Sequence, residues 1–420
     1  MPPRRIDPIA ARAFAVEVVE KLRQAGYEAV WAGGCVRDQL LDRVPLDYDV
    51  ATAARPDDIR NLFGRRNTIA VGAAFGVITV IGSKHSGNVE VATYRSDAEY
   101  IDGRHPVGVT FCGAQEDALR RDFTINGLFF DPTTGNVIDY VGGQHDLNEG
   151  VVRAIGNPAM RFNEDHLRML RAVRFSANFG FPIECETQKA IVLLAEKVES
   201  VSPERLAAEL RLMFSRHGRG EALRLLVGTN LIGPLFGYRL KEAESFWCSA
   251  SDMLDAMRDP NISLAIAVLC YEKPRLAADI CNHLRLSNHE RKLTVWLIEA
   301  VMSLGSDSFS TQYTDIPWSV LQPWLAHEWR FYLFDLMQSL AVINLFSTEN
   351  VGWVSEQVHR TDADLNPPQL LCGNDLMQLG VPSGPVVGKL LKQLRDLQLD
   401  NKIISKEAAI QWVEQHRASE

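Results

Sequence analysis

The sequence predicts an α+β fold: an N-terminal head with a mixed sheet and helices, followed by an all-α remainder. Two observations carry this. Up to about residue 155, β-branched and aromatic runs bounded by Gly, Asp or Ser alternate with helical patterns. From about residue 158 onward the apolar residues recur almost wholly at helical spacing. Breaks near 217–220 (HGRG), 257–263, 305–318 and 362–369 then suggest four segments. These are a head over 1–155, a helical neck over 156–216, a body over 217–362 and a tail over 363–420.

Within the head, helices are expected at 8–25, 35–42, 56–63 and 115–130. Strands are expected at AVWAGG (29–34), YDVAT (48–52), FGVITVIG (75–82), VEVATYR (89–95) and VIDYV (137–141). At 420 residues the chain can hold two to four domains with sizeable cores. No apolar run approaches the roughly 20 residues of a membrane span, so no membrane partner is expected. The opening MPPRRIDPIAARAFAVEVVEKL has no apolar signal core and turns into an amphipathic helix, which speaks against export. Seven cysteines without a CxxC pair point to reduced thiols in a cytoplasm and away from a disulfide framework or zinc knuckle. A net charge of −9 provides no global field for nucleic acid, so a polyanion would be held by local basic patches. Lys389 and Lys392 in the tail are one candidate patch.

The chemistry begins at WAGGCVRDQLLDRVPLDYDVAT (31–52). A strand, a Gly33-Gly34 turn and a helix starting near Cys35 let backbone approach a ligand and aim N–H groups at an anion. Arg37 in the first helical turn adds a guanidinium fork suited to phosphate oxygens. On the next strand, Asp47 and Asp49 share one face while Tyr48 and Val50 take the other. Paired carboxylates fit a Mg²⁺ site, because this hard cation takes oxygen ligands and keeps room for phosphates. An exposed, solvated strand end is the alternative reading of Asp-X-Asp alone. No GxxxxGK[ST] and no GxGxxG occurs. The combination suggests metal-assisted phosphoryl or nucleotidyl transfer.

In the neck, a helix through NEDHLRMLRAVRFSANFGF places Phe162, Leu170, Val173 and Ala177 on one face and Glu164, Arg168 and Arg171 opposite. Asp165 lies beside Arg168. An aspartate's acceptors and an arginine's paired donors can present an edge that selects a base without a nucleic-acid template. Salt bridges at i,i+3 and i,i+4 on a wet helix are the competing reading, worth only a few tenths of a kcal/mol.

The motifs GGCVRD…LDYDVAT, RRDFTINGL (120–128), IDYVGGQHDL (138–147), EDHLRMLRAVRF (164–175) and PERLAAEL (203–210) occur in order over about 180 of the 420 residues. Together they strongly resemble the class II tRNA nucleotidyltransferase/poly(A) polymerase family, whose head is DNA polymerase beta-like. The C-terminal LMQLGVPSGPVVGKLLKQLRDLQLDNKIISKEAAIQWV is similar to the tail of such enzymes.

The resemblance implies that Gly33, Gly34 and Arg37 contact the nucleoside triphosphate, that Asp47 and Asp49 bind Mg²⁺, and that Glu90 is the candidate third carboxylate. Arg121 would meet the nucleotide and Asp122 the sugar. Asp165 and Arg168 would recognise CTP and ATP, with Glu164 steering Arg168. Arg171 and Arg174 would contact the nucleotide or pack the helix, and Glu204, Arg205 and Glu209 would buttress it. The implied activity is template-independent addition of CCA, or part of it, to tRNA 3′ ends from CTP and ATP. Two departures stand out. Val107-Gly108 occupies a loop position that is often acidic and is implicated in the switch from CTP to ATP, and Asn126-Gly127-Leu128 replaces the usual NAL or NAM. The small Gly/Ala form of FGRRNTIAVGAAFGVITV resembles CCA enzymes more than the bulkier, more basic poly(A) polymerases. Poly(A) addition remains the alternative within the family, and a non-catalytic RNA-end-binding protein on the same head the alternative from another class. Retention of Asp47 and Asp49 counts against the latter, since a binder needs no metal carboxylates.

Overall fold

The computed structural model describes residues 6–45, 47–97, 109–240, 242–305 and 312–416. The Val107-Gly108 departure lies outside the described residues. The chain divides into two compact units, Met1–Lys241 and Glu242–Glu420.

The first unit opens with α1 (Pro8–Gln24). Asp7 caps it by accepting from the Ile9 amide at 3.0 Å, and Pro8 supplies a φ already set for a helix. Its buried stripe of Ala11, Ala15, Val18, Val19 and Leu22 covers one face of a seven-stranded sheet. The strands are β1 (Ala29–Ala32), β2 (Asp49–Thr52), β3 (Thr68–Ile69), β4 (Val77–Ile81), β5 (Asn88–Thr93), β8 (Phe129–Phe130) and β9 (Val137–Ile138), in the order β3-β4-β5-β2-β1-β8-β9. β2 and β5 pair in parallel and all other neighbours pair antiparallel, which makes the sheet mixed. A separate ribbon joins β6 (Arg95–Asp97) to β7 (Val109–Phe111). The helices of the head after α1 are α2 (Gly34–Leu40), α3 (Pro56–Phe63), α4 (Ala114–Leu119) and α5 (Gly143–Glu149). Val30, Ala32, Ala51, Tyr94 and Phe129 form one core with Ala114 and Ala118 of α4.

Two expectations for the head need correction. The helix expected at 115–130 ends at Leu119, and Phe129–Phe130 forms the strand that continues the sheet beyond β1. The reason is packing: Leu128 and Phe129 are fully buried, and pairing Phe129–Phe130 with Trp31 and Ala32 keeps their backbone hydrogen-bonded within the sheet. The VIDYV strand shrinks to Val137–Ile138, because the Asp139 carboxylate accepts from the Val141, Gly143 and Gln144 amides and bends the chain into α5.

Six helices follow: α6 (Pro158–Glu164), α7 (Leu167–Phe179), α8 (Cys185–Leu194), α9 (Pro203–Phe214), α10 (Arg219–Gly228) and α11 (Ile232–Leu235). The continuous helix expected through residues 162–177 is broken. Asp165 is extended at φ −149°, ψ 105°, and its carboxylate accepts from the Leu167 amide at 3.1 Å. That local bond competes with the helical ladder, so the chain kinks at Asp165. Phe162, Leu170, Val173 and Ala177 are nonetheless all buried, as their spacing suggests.

Every secondary-structure element described in the second unit is a helix. Its helix Ile262–Leu269 is buried at every residue. The last three helices, from Gly373 onward, build a core of their own around Leu376, Leu390, Leu394 and Val413. Lys389 and Lys392 lie exposed on the helix Pro385–Leu399.

Candidate active site

Three stretches of the head and three of the neck line a single cleft of about 560 Å³. They are the β1–α2 turn, the start of β2, the segment 120–126, the α6–α7 kink, α7 and the end of the neck near Arg205 and Arg216.

At the turn, Gly33 has φ +73°, a conformation that asks for glycine, and a Cβ there would also crowd an Arg121 guanidinium nitrogen at 3.0 Å. Arg37 is buried. It donates to Asp38 at 2.6 and 2.9 Å and to the Asn126 side-chain oxygen at 2.6 Å, and it lies over the rings of Phe175 and Phe179 at 5.2 and 4.6 Å. Arg120 and Arg121 share the buried carboxylate of Asp117, with Arg121 also placed over Phe129 at 5.0 Å. The Arg120-Arg121 pair is therefore fixed in place, and both residues line the cleft.

Facing this cationic wall, Asp47 and Asp49 open into the cleft while Tyr48 and Val50 are buried behind them. Glu90 does not line the cleft. It is the register partner of Asp49 on the parallel strand β5, so its side chain rises on the same face. Loss of solvent around the Asp49 carboxyl, then repulsion from Asp47 and Glu90, pushes its pKa up to about 7, with Arg121 pulling the other way. Crowded like charges of this kind are relieved by a cation, so the donor set fits a hard divalent ion. Among the described residues no three Asp, Glu, His or Cys side chains converge to hold an ion alone. Asp47 and Asp49 would therefore share it with substrate oxygens. Burial raises the Cys35 thiol just behind them to about 12, which excludes it as a nucleophile.

A chain of side chains links the head to the neck. Arg37 bonds Asn126, whose amide donates to Asp122 at 3.1 Å; Asp122 accepts from Arg171 at 2.7 and 2.8 Å; Glu209 accepts from Arg174 at 2.6 Å and sits 3.5 Å from Arg171. Burial alone would raise the Asp122 carboxyl, but Arg171 and the Asn126 amide outweigh it and hold it at about 2. The folded pKa lies below the unfolded value, so this pair stabilises the fold above about pH 4 and loses that contribution as pH falls toward 2. Asp122→Asn should accordingly flatten the acid limb of a stability–pH curve measured by thermal melting. Glu209→Ala leaves Arg174 buried without a carboxylate and should cost about 3–5 kcal/mol in urea unfolding.

At the α6–α7 kink, Asp165 accepts from Arg205 at 2.7 Å rather than from Arg168. Arg168 is held by Glu164 and by the carbonyls of Arg161 and Arg120, at 3.0 and 3.3 Å. The expected Asp165–Arg168 neighbours thus reach one cleft through separate supports. The Glu164–Arg168 link expected from sequence is present, whereas Glu164 and Glu204 do not line the cleft. Sequence reasoning passed over Asp38, Asp117, Leu167, Phe175 and Arg216. Phe175 had the clearest signal, as an aromatic within the arginine-rich stretch of α7.

A cleft lined by a glycine turn, arginine forks, paired carboxylates and further donor–acceptor side chains has the groups a nucleotide would need. Comparisons agree. The poly A polymerase head domain family matches residues 29–153, and the family described as a probable RNA and SrmB-binding site of polymerase A matches 180–242. The chain is 32% identical over 369 residues to a CCA-adding enzyme of Anoxybacillus flavithermus, covering 83% of this chain and 91% of that one. It is also 32% identical over 412 residues to one from Geobacillus sp. strain WCH70, covering 95% and 96%. Among solved structures, the Bacillus stearothermophilus CCA-adding enzyme in complex with CTP superposes with a TM-score of 0.76 at 27% identity, covering 100% of this chain and 99% of that one. The Thermotoga maritima CCA-adding enzyme complexed with tRNA, at 20% identity and a TM-score of 0.70, shares the fold.

Proposed function

This chain belongs to the CCA-adding enzyme family of nucleotidyltransferases, and on that premise we propose that it adds CCA to tRNA 3′ ends from CTP and ATP. The observation that carries the reading is the single cleft that Asp47 and Asp49 line together with Arg37, Arg121, Asp165, Arg168 and Arg205. In the reaction, the RNA 3′-oxygen attacks the α-phosphorus, the bond to the β-phosphate oxygen breaks, pyrophosphate leaves and the hydroxyl proton passes to solvent. Arg37 and Arg121, already stiffened by Asp38 and Asp117, bind the triphosphate without losing much side-chain freedom. Asp122, kept ionised by Arg171, lines the cleft on the sugar side of this reading, its carboxylate held by Arg171, the Asn126 amide and the Phe123 N–H. The Asp165 carboxylate and the Arg168 and Arg205 guanidinia offer the acceptors and donors that distinguish cytosine and adenine from other bases.

Members of this family use divalent metal ions, and the ion proposed here is Mg²⁺. Held by Asp47 and Asp49, it would neutralise charge building on the transferred phosphate. The proposed setting is the cytoplasm: all seven cysteines are free, and among the described residues no helix is long and apolar enough to cross a membrane.

The test is purified protein, Mg²⁺ and tRNA lacking its CCA end, with nucleotides offered singly and together. CTP alone should add two residues, ATP alone none, and the mixture three. Long runs from ATP alone would point to polyadenylation, and no incorporation under any condition would overturn the enzymatic reading.

A further inference from the structure

Eight arginines line the cleft, and seven of them face a carboxylate in the folded chain. The exception is Arg216, which is exposed on the rim and pairs with no acid among the described residues. The turn that carries it is fixed by Gly218. That residue has φ +78°, and a Cβ there would meet the Ala177 carbonyl oxygen at 2.2 Å, so the turn lies directly on the end of α7. Two residues further along α7, the Phe179 ring carries two guanidinia: the cleft-lining Arg37 at 4.6 Å, and Arg43 at 4.9 Å from the loop between α2 and β2. Arg43 is exposed, does not line the nucleotide cleft and likewise has no acid partner among the described residues. Two cations without an acid partner among the described residues, one from the head and one from the neck, are therefore set at the same end of α7, Arg216 on the cleft rim and Arg43 beyond it.

Cations that serve the triphosphate would be expected inside the cleft and pre-paired, as Arg37 and Arg121 are. Arg43 and Arg216 lie outside it or on its edge, where the anion they meet must extend beyond the nucleotide. Resting on the proposed reaction, we infer that Arg43 and Arg216 clamp the phosphodiester backbone of the RNA 3′ end as it enters the cleft. This is the kind of local basic patch that a chain of net charge −9 requires.

The test compares Arg43→Gln, Arg216→Gln and the double variant with the wild type, using tRNA lacking its CCA end. Each single variant should raise the KM for tRNA by roughly three- to tenfold, the scale of one exposed charge-assisted hydrogen bond, with the KM for CTP within about twofold. In equilibrium binding, the slope of log Kd against log salt should fall by about 0.7–0.9 for each phosphate that is no longer neutralised. Arg43→Lys and Arg216→Lys, which keep the charge, should recover most of the affinity and control for loss of fold. An unchanged tRNA KM and salt slope in the double variant would overturn the clamp, as would a rise in the CTP KM with tRNA unaffected. Should the wild type incorporate no nucleotide, the parent reading fails, while the binding measurements still decide the clamp.

Discussion

Asp49→Ala should reduce incorporation of CTP and ATP together by roughly a thousandfold or more, the equivalent of about 4 kcal/mol of transition-state charge stabilisation. The fold should not suffer. Asp49 stands at the cleft with its carboxyl pushed up to about 7, against an ordinary value of 3.8, by lost solvent and by Asp47 and Glu90. Between those two values the folded chain holds a proton that the unfolded chain has released. Stability from this group is therefore complete below about pH 4 and is lost as pH rises through 7. In cation-free buffer, Asp49→Asn should flatten the fall in Tm between pH 4 and 7 while leaving the circular dichroism spectrum unchanged. Mg²⁺ should raise the wild-type Tm at pH 8 and leave that of the variant almost unmoved. Because the cation competes with the proton, the apparent Mg²⁺ affinity should weaken by up to about tenfold per unit of acidification below pH 7. Full activity in Asp49→Ala would refute the metal assignment, and a Tm insensitive to Mg²⁺ would confine the aspartates to an electrostatic role without an ion.

Much of the head was legible because each signal was local. Alternation over YDVAT puts Tyr48 and Val50 inside and Asp47 and Asp49 outside, and a strand's period of two leaves no other choice once one face is buried. Gly33 was legible for the same reason, since the turn's positive φ is a property of that residue alone. The rest depended on tertiary partners. RRDFTINGLFF reads as helix until β1 is present to pair with Phe129–Phe130. Arg120 looks like a solvated helix terminus unless Asp117 is seen to lie buried between two guanidinia. The support of Asp165 by Arg205 crosses 40 residues, and the link between Arg171 and Glu209 crosses 38, separations at which helical spacing carries no information. What sequence supplied was the set of chemical groups; the fold supplied which of them hold one another still.

Selectivity, rather than rate, is where Asp165, Arg168 and Arg205 should show their effect. If the Asp165 carboxylate accepts from an exocyclic amine, Asp165→Ala should raise UTP and GTP misincorporation relative to CTP and ATP. One lost hydrogen bond to a charged partner is worth about 1.5–3 kcal/mol, roughly 10- to 150-fold in discrimination. Arg168→Ala should show a similar loss, since it removes donors facing the acceptor edge of the base. Arg205 provides a finer test. It supports Asp165 at 2.7 Å and lines the cleft, so Arg205→Ala should loosen the aspartate and weaken discrimination by less than Asp165→Ala does. Because the two residues then act through one ion pair, the double variant Asp165→Ala, Arg205→Ala should be little worse than Asp165→Ala alone. Mg²⁺ dependence should stay at the wild-type value in all of these, as Asp165 bonds Arg205 and the Leu167 amide, and Arg168 bonds Glu164 and the Arg120 and Arg161 carbonyls, rather than Asp47 or Asp49. A surface ion pair would behave differently: Asp165→Ala would shift Tm slightly and leave mixed-nucleotide competition untouched. Unchanged nucleotide preference in both Asp165→Ala and Arg168→Ala would remove these residues from base selection.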